Sequence, residues 1–185
     1  MHKEEVTRQT EKMLEDAIIQ HSSSPWNFPI LVVQKKFDSS GKTKWRVVVD
    51  FRKLNDVTVV DSFPIPVITD VLDSLWKWKY FSTVDCASGF WQIPVREEDR
   101  TKTAFNTDYG HFEYKSMPFG LKGAPGTFQR LMSTVLSGIQ GIKCLVYLDI
   151  IVFGETLWSH NDKLREVFAR LRIHNLNYSP TSANF

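Results

Sequence analysis

Two aspartates stand where their neighbours would sooner be buried. Asp149 interrupts Val-Tyr-Leu-Asp-Ile-Ile-Val-Phe, residues 146 to 153, and Asp85 ends the apolar run from Tyr80 to Val84. An ionised carboxylate left unpaired among apolar groups costs several kcal/mol, on the order of its desolvation, so each needs a partner, a turn or a metal. Carboxylates on adjacent strands of one sheet could together hold a divalent cation. Magnesium prefers oxygen ligands and is commonly bound by one or two carboxylates plus substrate phosphates and water. Two such ions can clamp both oxygens of an in-line phosphoryl transfer. The plainer alternative, open at this point, makes Asp149 a hairpin-turn residue and Asp85 a cap, since aspartate is common in turns.

A second constellation is basic. Lys35, Lys36, Lys42, Lys44 and Arg46 are opposed only by Asp38 within one short stretch. Arginine offers phosphate a planar bidentate fork and lysine a point charge; the alternative is a hairpin edge kept charged against aggregation. Phe90 follows Asp85 by five residues, behind Ser88 and Gly89, close enough to touch whatever Asp85 helps to bind. Its alternative is an ordinary core aromatic. The histidines offer no rival chemistry: His111 follows Gly110 in an expected turn, His160 falls at a helix start, and no Gly-x-Ser-x-Gly pattern accompanies them.

The elements that must position these residues follow from periodicity. Residues 4 to 19 carry Val6, Met13, Leu14, Ala17 and Ile18 on one helical stripe, stopped by Ser22-Ser23-Ser24-Pro25. Ile30 to Val33, the polar FDSSGKTK and the alternating WRVVVDFRKLN predict a β-hairpin. Ile68, Val71, Leu72 and Leu75 fit a short core-facing helix, Tyr80 to Val84 a buried strand. From Pro125, a second stripe of Phe128, Leu131, Met132, Val135 and Leu136 runs to Ser137-Gly138. Lys143 to Phe153 reads as strand, turn at or near Asp149, and strand. Ser159 with Asp162 resembles a capping box for a helix bearing Leu164, Val167, Phe168 and Leu171. This order predicts an α+β fold with helices packed behind an antiparallel sheet.

With 185 residues and ordinary apolar and charged fractions, the chain predicts one substantial domain or two small ones sharing a core, not disorder. A net charge of +2 neither demands nor excludes a polyanion. Cys86 and Cys144 are too isolated for a zinc site or a disulfide framework. No apolar run is long enough to span a bilayer and the charged N-terminus is unlike a signal peptide. A reducing intracellular setting, without a membrane partner, is the expectation.

Five blocks in succession, WRVVVDFRKLN, FPIPVI, YFSTVDCASGFWQIPVREEDRTKTAF, FEYKSMPFGLKGAPGTFQRLM and CLVYLDIIVF, resemble the reverse transcriptase of gypsy-class long-terminal-repeat retrotransposons. The resemblance covers nearly the whole chain. It implies a right-hand polymerase fragment, with residues 1–79 mainly fingers and 80–185 mainly palm, and the thumb, connection and RNase H absent. It implies attack of a primer 3′-hydroxyl on the α-phosphate of a deoxynucleoside triphosphate (dNTP), assisted by two Mg2+ ions, with Mn2+ as a substitute. Asp85 and Asp149 match catalytic, metal-binding aspartates. Arg46 matches the triphosphate-binding arginine, and Lys35 or Lys36 its phosphate-binding lysine. Phe90 matches the aromatic gate against a ribose 2′-hydroxyl, and Phe119 a residue packed on the incoming nucleotide and template. The implied partners are an RNA or DNA template with its primer, dNTP, and the flanking thumb, RNase H and integrase of an intact Pol polyprotein.

The departures carry expectations of their own. The family signature is Tyr-x-Asp-Asp, whereas Tyr147-Leu148-Asp149 runs directly into Ile150. The simplest alignment deletes one aspartate and shortens the hairpin by a residue, a slip that turns later side chains to the other face unless a bulge absorbs it. Loss of even an outer partner of a metal site costs roughly 10–100-fold in affinity or activity, so very weak or absent polymerase activity is expected. The alternatives are a non-catalytic nucleic-acid-binding module or a decayed remnant. Ser116, Trp76 and the terminal NYSPTSANF also depart from the family pattern.

Overall fold

The hairpin and stripe patterns become fifteen helices and strands among the described residues of this computed structural model, which describes residues 2–34, 45–59, 63–86, 88–147 and 149–180. In chain order they are α1 (His2–Glu15), β1 (Ile19–His21), β2 (Ile30–Gln34), β3 (Trp45–Val49), α2 (Arg52–Val57), α3 (Ile68–Leu75), β4 (Tyr80–Asp85), α4 (Glu97–Arg100), β5 (Phe105–Thr107), β6 (Gly110–Tyr114), α5 (Ala124–Val135), β7 (Cys144–Tyr147), β8 (Asp149–Gly154), α6 (Leu157–Ile173) and β9 (Ser179–Pro180). They form two compact units that interleave in sequence: Met1–Val59 with Ile93–Ala124, and Val60–Gln92 with Pro125–Phe185.

In the first unit, β2 and β3 make the expected hairpin, paired antiparallel from Ile30–Val49 to Gln34–Trp45. A second sheet, ordered β1-β6-β5, has no counterpart in the sequence reading. Its core is aromatic: Phe28, Phe51, Phe105, Phe112 and Tyr114 are all buried, with Phe105 and Tyr114 rings 5.3 Å apart. His111, expected in a turn, lies instead on β6 opposite Asn106.

Two expected boundaries move for local reasons. α1 stops at Glu15 because Ala17 turns into the left-handed region at φ 55° and Ile18 N–H bonds back to the Met13 carbonyl, which frees Ile19 for β1. The second strand of the hairpin ends at Val49 rather than running to Asn55. Asp50 Oδ1 accepts the Arg52 backbone N–H at 3.1 Å, a local turn that competes with the ladder and starts α2.

The second unit holds a four-stranded antiparallel sheet ordered β7-β8-β4-β9, with α6 against β8 and β4. Val84, Cys144, Val146, Ile150 and Val152 from the sheet, Met132, Val135 and Leu136 from the α5 region, and Val167 and Leu171 from α6 are buried together with scarcely any exposure. Pro125 sits in the first turn of α5, where its missing N–H costs no intrahelical bond, and Gly138 at φ +82° lies beyond the helix end. α6 begins one turn earlier than the Ser159–Asp162 pattern suggests: Thr156 is the cap, its hydroxyl accepting from Ser159 N–H at 3.2 Å.

Candidate active site

β4 and β8 pair from Tyr80–Gly154 to Val84–Ile150. Val84 and Ile150 are buried, so strand alternation puts the next residues, Asp85 and Asp149, opposite one another on the other face, where both are exposed. Directly opposed residues of an antiparallel pair bring their Cβ atoms to about 4.5–5.5 Å. Partial burial, and then the charge of Asp85, hold the Asp149 carboxyl above its ordinary range. Burial first, then both carboxylates, push the Cys86 thiol up to about 11, so this buried sulfur stays a neutral neighbour.

Two like charges facing each other are destabilising on their own, and a hard divalent cation between them would relieve the repulsion. Two carboxylates fit magnesium, which takes its remaining ligands from water and phosphate. Among the described residues no cluster of three His, Cys, Asp or Glu side chains could share a metal ion. Glu155 follows the far end of β8, about 20 Å along the strand from Asp149 at ~3.3 Å per residue.

The hairpin that carries Asp149 is short. Tyr147 and Asp149 are direct register partners, and the ladder runs unbroken to Cys144–Val152. Val146 with Ile150 and Cys144 with Val152 remain core pairs, so β8 keeps its apolar face inward in register with both neighbours. Gln129 on α5 donates its Nε2 to the Val146 carbonyl at 3.1 Å and so ties β7 to the helix just before the hairpin.

Beyond Asp85 the chain turns tightly. Ser88 adopts φ 49°, Trp91 N–H bonds to the Ser88 carbonyl, and Gly89 opens a 3-10 turn over Gly89–Gln92. A Cβ on Gly89 would come within 2.8 Å of the Phe128 ring and 3.2 Å of Cys86 Cβ. This close approach brings Phe90, half-buried, edge-on to Phe128 at 5.7 Å between centroids. Gln92 then grips the backbone of Asn177, donating to its carbonyl at 2.8 Å and accepting its N–H at 2.7 Å. The grip leads into β9, whose Ser179 pairs with Asp85.

In the other unit, Arg46 and Phe119 come together: the exposed Arg46 guanidinium lies over the Phe119 ring, 5.1 Å from its centroid. Lys35 and Lys36 lie outside the described residues. Gln9, Asn55 and Gln92, which hold backbone segments beside Arg46, Phe119 and β9, escape the sequence reading. A lone carboxamide has no periodic signal, and only its partners reveal its work.

The chain is similar to known proteins over nearly all its length. The family model for reverse transcriptase (RNA-dependent DNA polymerase) matches residues 33–182. The retrovirus-related Pol polyprotein from transposon 297 of Drosophila melanogaster is 46% identical over 185 residues, all of this chain and 18% of that protein. The one from transposon gypsy is 40% identical over 182 residues, 97% of this chain and again 18% of that protein. The chain thus spans about a fifth of these polyproteins. Among solved structures, a foamy viral protease-reverse transcriptase in complex with double-stranded DNA superposes with TM-score 0.85 at 28% identity, covering 96% of this chain and 30% of that one. A foamy viral protease-reverse transcriptase in complex with RNA/DNA hybrid gives 0.85 at 26%, covering 96% and 23%. The resemblance read from the five sequence blocks, and the mixed fold of helices and antiparallel sheets, are both borne out: the chain belongs to the reverse transcriptase (RNA-dependent DNA polymerase) family.

Proposed function

We propose that this chain forms the fingers and palm of an RNA-directed DNA polymerase, with turnover far below that of relatives carrying a third carboxylate. The observation that carries the proposal is the opposition of Asp85 and Asp149 on neighbouring strands. The unit containing β4 and β8 serves as the palm, the unit containing the β2–β3 hairpin as the fingers.

Asp85 and Asp149 would hold divalent magnesium, or manganese, together with the phosphates of the substrate. The chemistry such a pair of ions would supply is stabilisation of charge on the attacking and leaving oxygens of the transfer. Arg46 offers its planar fork to the triphosphate, and Lys35 or Lys36 adds a point charge. Phe90, fixed by Gly89 and Phe128, blocks the space of a ribose 2′-hydroxyl, and Phe119 packs on the incoming nucleotide. The reaction joins a primer 3′-hydroxyl to the α-phosphate of a dNTP on an RNA or DNA template. The double-stranded DNA and RNA/DNA hybrid held by the foamy viral relatives support this choice of partner. The setting is intracellular, and the flanking thumb, RNase H and integrase belong to the intact polyprotein.

Primer extension on an RNA template with magnesium or manganese tests the reading. Weak extension that Asp85→Ala abolishes is expected. Absence of extension, with salt-sensitive binding of an RNA/DNA hybrid, would favour a second reading, a non-catalytic nucleic-acid-binding module. That reading is supported by the lack of a third acidic ligand among the described residues.

A further inference from the structure

We propose that Gln9 and Asn55 are positioning residues that preset the contact between Arg46 and Phe119 for nucleotide binding. This rests on the nucleotide role of Arg46 and Phe119 proposed above.

β3 belongs to a two-stranded sheet with β2, so its other edge has no strand partner among the described residues. Gln9 on α1 occupies that edge. Its Nε2 donates to the Trp45 carbonyl at 2.8 Å, and its Oε1 accepts the Val47 N–H at 3.0 Å. These two backbone groups flank Arg46. The carboxamide therefore substitutes for a neighbouring strand at the one place where the strand presents the arginine. Its second donor hydrogen is used as well, on Glu5 Oε1 at 2.6 Å, and Glu5 is itself held by Arg8. The amide orientation is thus fixed from both ends.

Asn55 on α2 makes the matching grip on the segment that carries Phe119. Its Nδ2 donates to the Gly120 carbonyl at 2.8 Å, and its Oδ1 accepts the Lys122 N–H at 2.8 Å. These bonds bracket Leu121, and just before them the backbone passes through Gly120 at φ +93°, a conformation side chains disfavour. Phe119 is the residue immediately before this bracketed turn. β3 and α2 are separated only by Asp50 and Phe51, so Gln9 grips one end of a short, continuous stretch of backbone and Asn55 reaches out from its other end. Arg46 and Phe119 each stand one residue from a clamp, and they touch.

Ordering exposed side chains at the moment of binding weakens affinity, and prior ordering removes that cost. Loss of either clamp should therefore weaken nucleotide binding while leaving primer–template binding in place.

The test uses the full chain on a dideoxy-terminated primer–template with magnesium and a fluorescent complementary dNTP. Gln9→Ala and Asn55→Ala should each weaken dNTP binding by about 3–10-fold and change primer–template affinity less than twofold. Amide hydrogen exchange should quicken at Val47 in the first and at Lys122 in the second. Thr103→Ala, which deletes the hydroxyl accepting Tyr114 N–H in the same unit, should lower Tm without weakening dNTP binding. Asn55→Asp keeps the acceptor for Lys122 and loses the donor to Gly120, and should fall between wild type and Asn55→Ala; it serves in place of Asn55→Ala if that variant fails to fold. If wild-type dNTP binding is lost in Arg46→Ala but untouched in both clamp variants, the positioning role alone is overturned. Clamp variants that weaken dNTP binding no more than Thr103→Ala at equal loss of Tm overturn it too. A wild-type chain that binds no dNTP overturns the proposed function and this inference together.

Discussion

Asp85 and Asp149 face each other one register step beyond the buried Val84–Ile150 pair, and the charge of Asp85 adds to burial in holding the Asp149 carboxyl high. Two opposed carboxylates repel each other when both are ionised. A divalent cation bound by both would offset that repulsion, as proposed above.

The first prediction concerns that repulsion. A carboxyl whose folded-state pKa is raised contributes stability below its unfolded value, near 3.8, and loses it as pH rises through the folded value. At neutral pH the ionised pair is therefore a net cost. Asp149→Asn should raise Tm in metal-free buffer at pH 7 by about 1–3 °C, since opposed like charges cost ~0.2–1 kcal/mol and solvent screening keeps the figure modest. Magnesium should raise the Tm of wild type and leave the variant unmoved. Identical magnesium responses in thermal scans would sink the two-carboxylate site.

The second concerns the residue missing from the hairpin. Inserting an aspartate between Asp149 and Ile150 restores the family's paired acids. Primer-extension activity should rise by at least ~10–100-fold, the range lost when a metal site is deprived of a supporting group. No gain, in a variant that retains the wild-type circular dichroism spectrum, would show that the third carboxylate is not what limits turnover.

The third is a pH dependence in the unit that carries the β2–β3 hairpin. Arg52 grips Asp50 with Nε at 2.9 and 3.0 Å and Nη2 at 2.6 Å, and these bonds hold the Asp50 carboxyl down at about 2. A depressed carboxyl contributes stability above its unfolded value, near 3.8, and loses it as pH falls through about 2. Arg52→Ala should thus lower Tm at neutral pH, with the deficit shrinking between about pH 4 and pH 2. Thermal scans over that window would refute the idea if the deficit stayed constant.

The fourth compares two glycines. A Cβ on Gly154 would lie 2.7 Å from His160 N and Cα, backbone that cannot step aside, whereas Gly89 meets mainly the Phe128 ring. Gly89→Ala should cost about 1–3 kcal/mol by urea denaturation, the usual range for overpacking, and Phe128→Leu should recover part of it. Gly154→Ala should cost more than Gly89→Ala and find no rescue at Phe128. Equal costs would contradict the close packing of α6 on the end of β8.

Much of this was legible in advance where a pattern repeats. The β2–β3 hairpin, the α5 stripe and the strand leading to Asp85 announce themselves through period and punctuation. The β5–β6 hairpin did not, because its strands are only three and five residues long and the two intervening residues, Asp108 and Tyr109, are not an Asn-Gly or Asp-Gly turn. The end of β3 was misplaced because Phe51 continues the alternation while Asp50 breaks the ladder through a side-chain bond. The interleaving of the two units leaves no mark in local sequence, since it depends on which distant segments share a core. Arg46, Phe90, Phe119 and the two aspartates could be named as candidates from family blocks; the carboxamides of Gln9 and Asn55, which hold the backbone beside Arg46 and Phe119, could not.

The sheet order gives the two carboxylates matching surroundings. β4 is bonded along both edges, to β8 through Tyr80–Val84 and to β9 at Val84 and Asp85. Asp85 therefore stands at a seam between two ladders. Asp149 stands on the arm of a hairpin whose other arm, β7, is the outermost strand of the sheet. β8 is likewise bonded along both edges, to β7 and to β4, so Asp149 too stands at a seam between two ladders, and the gap between the carboxylates is set by the β4–β8 register itself.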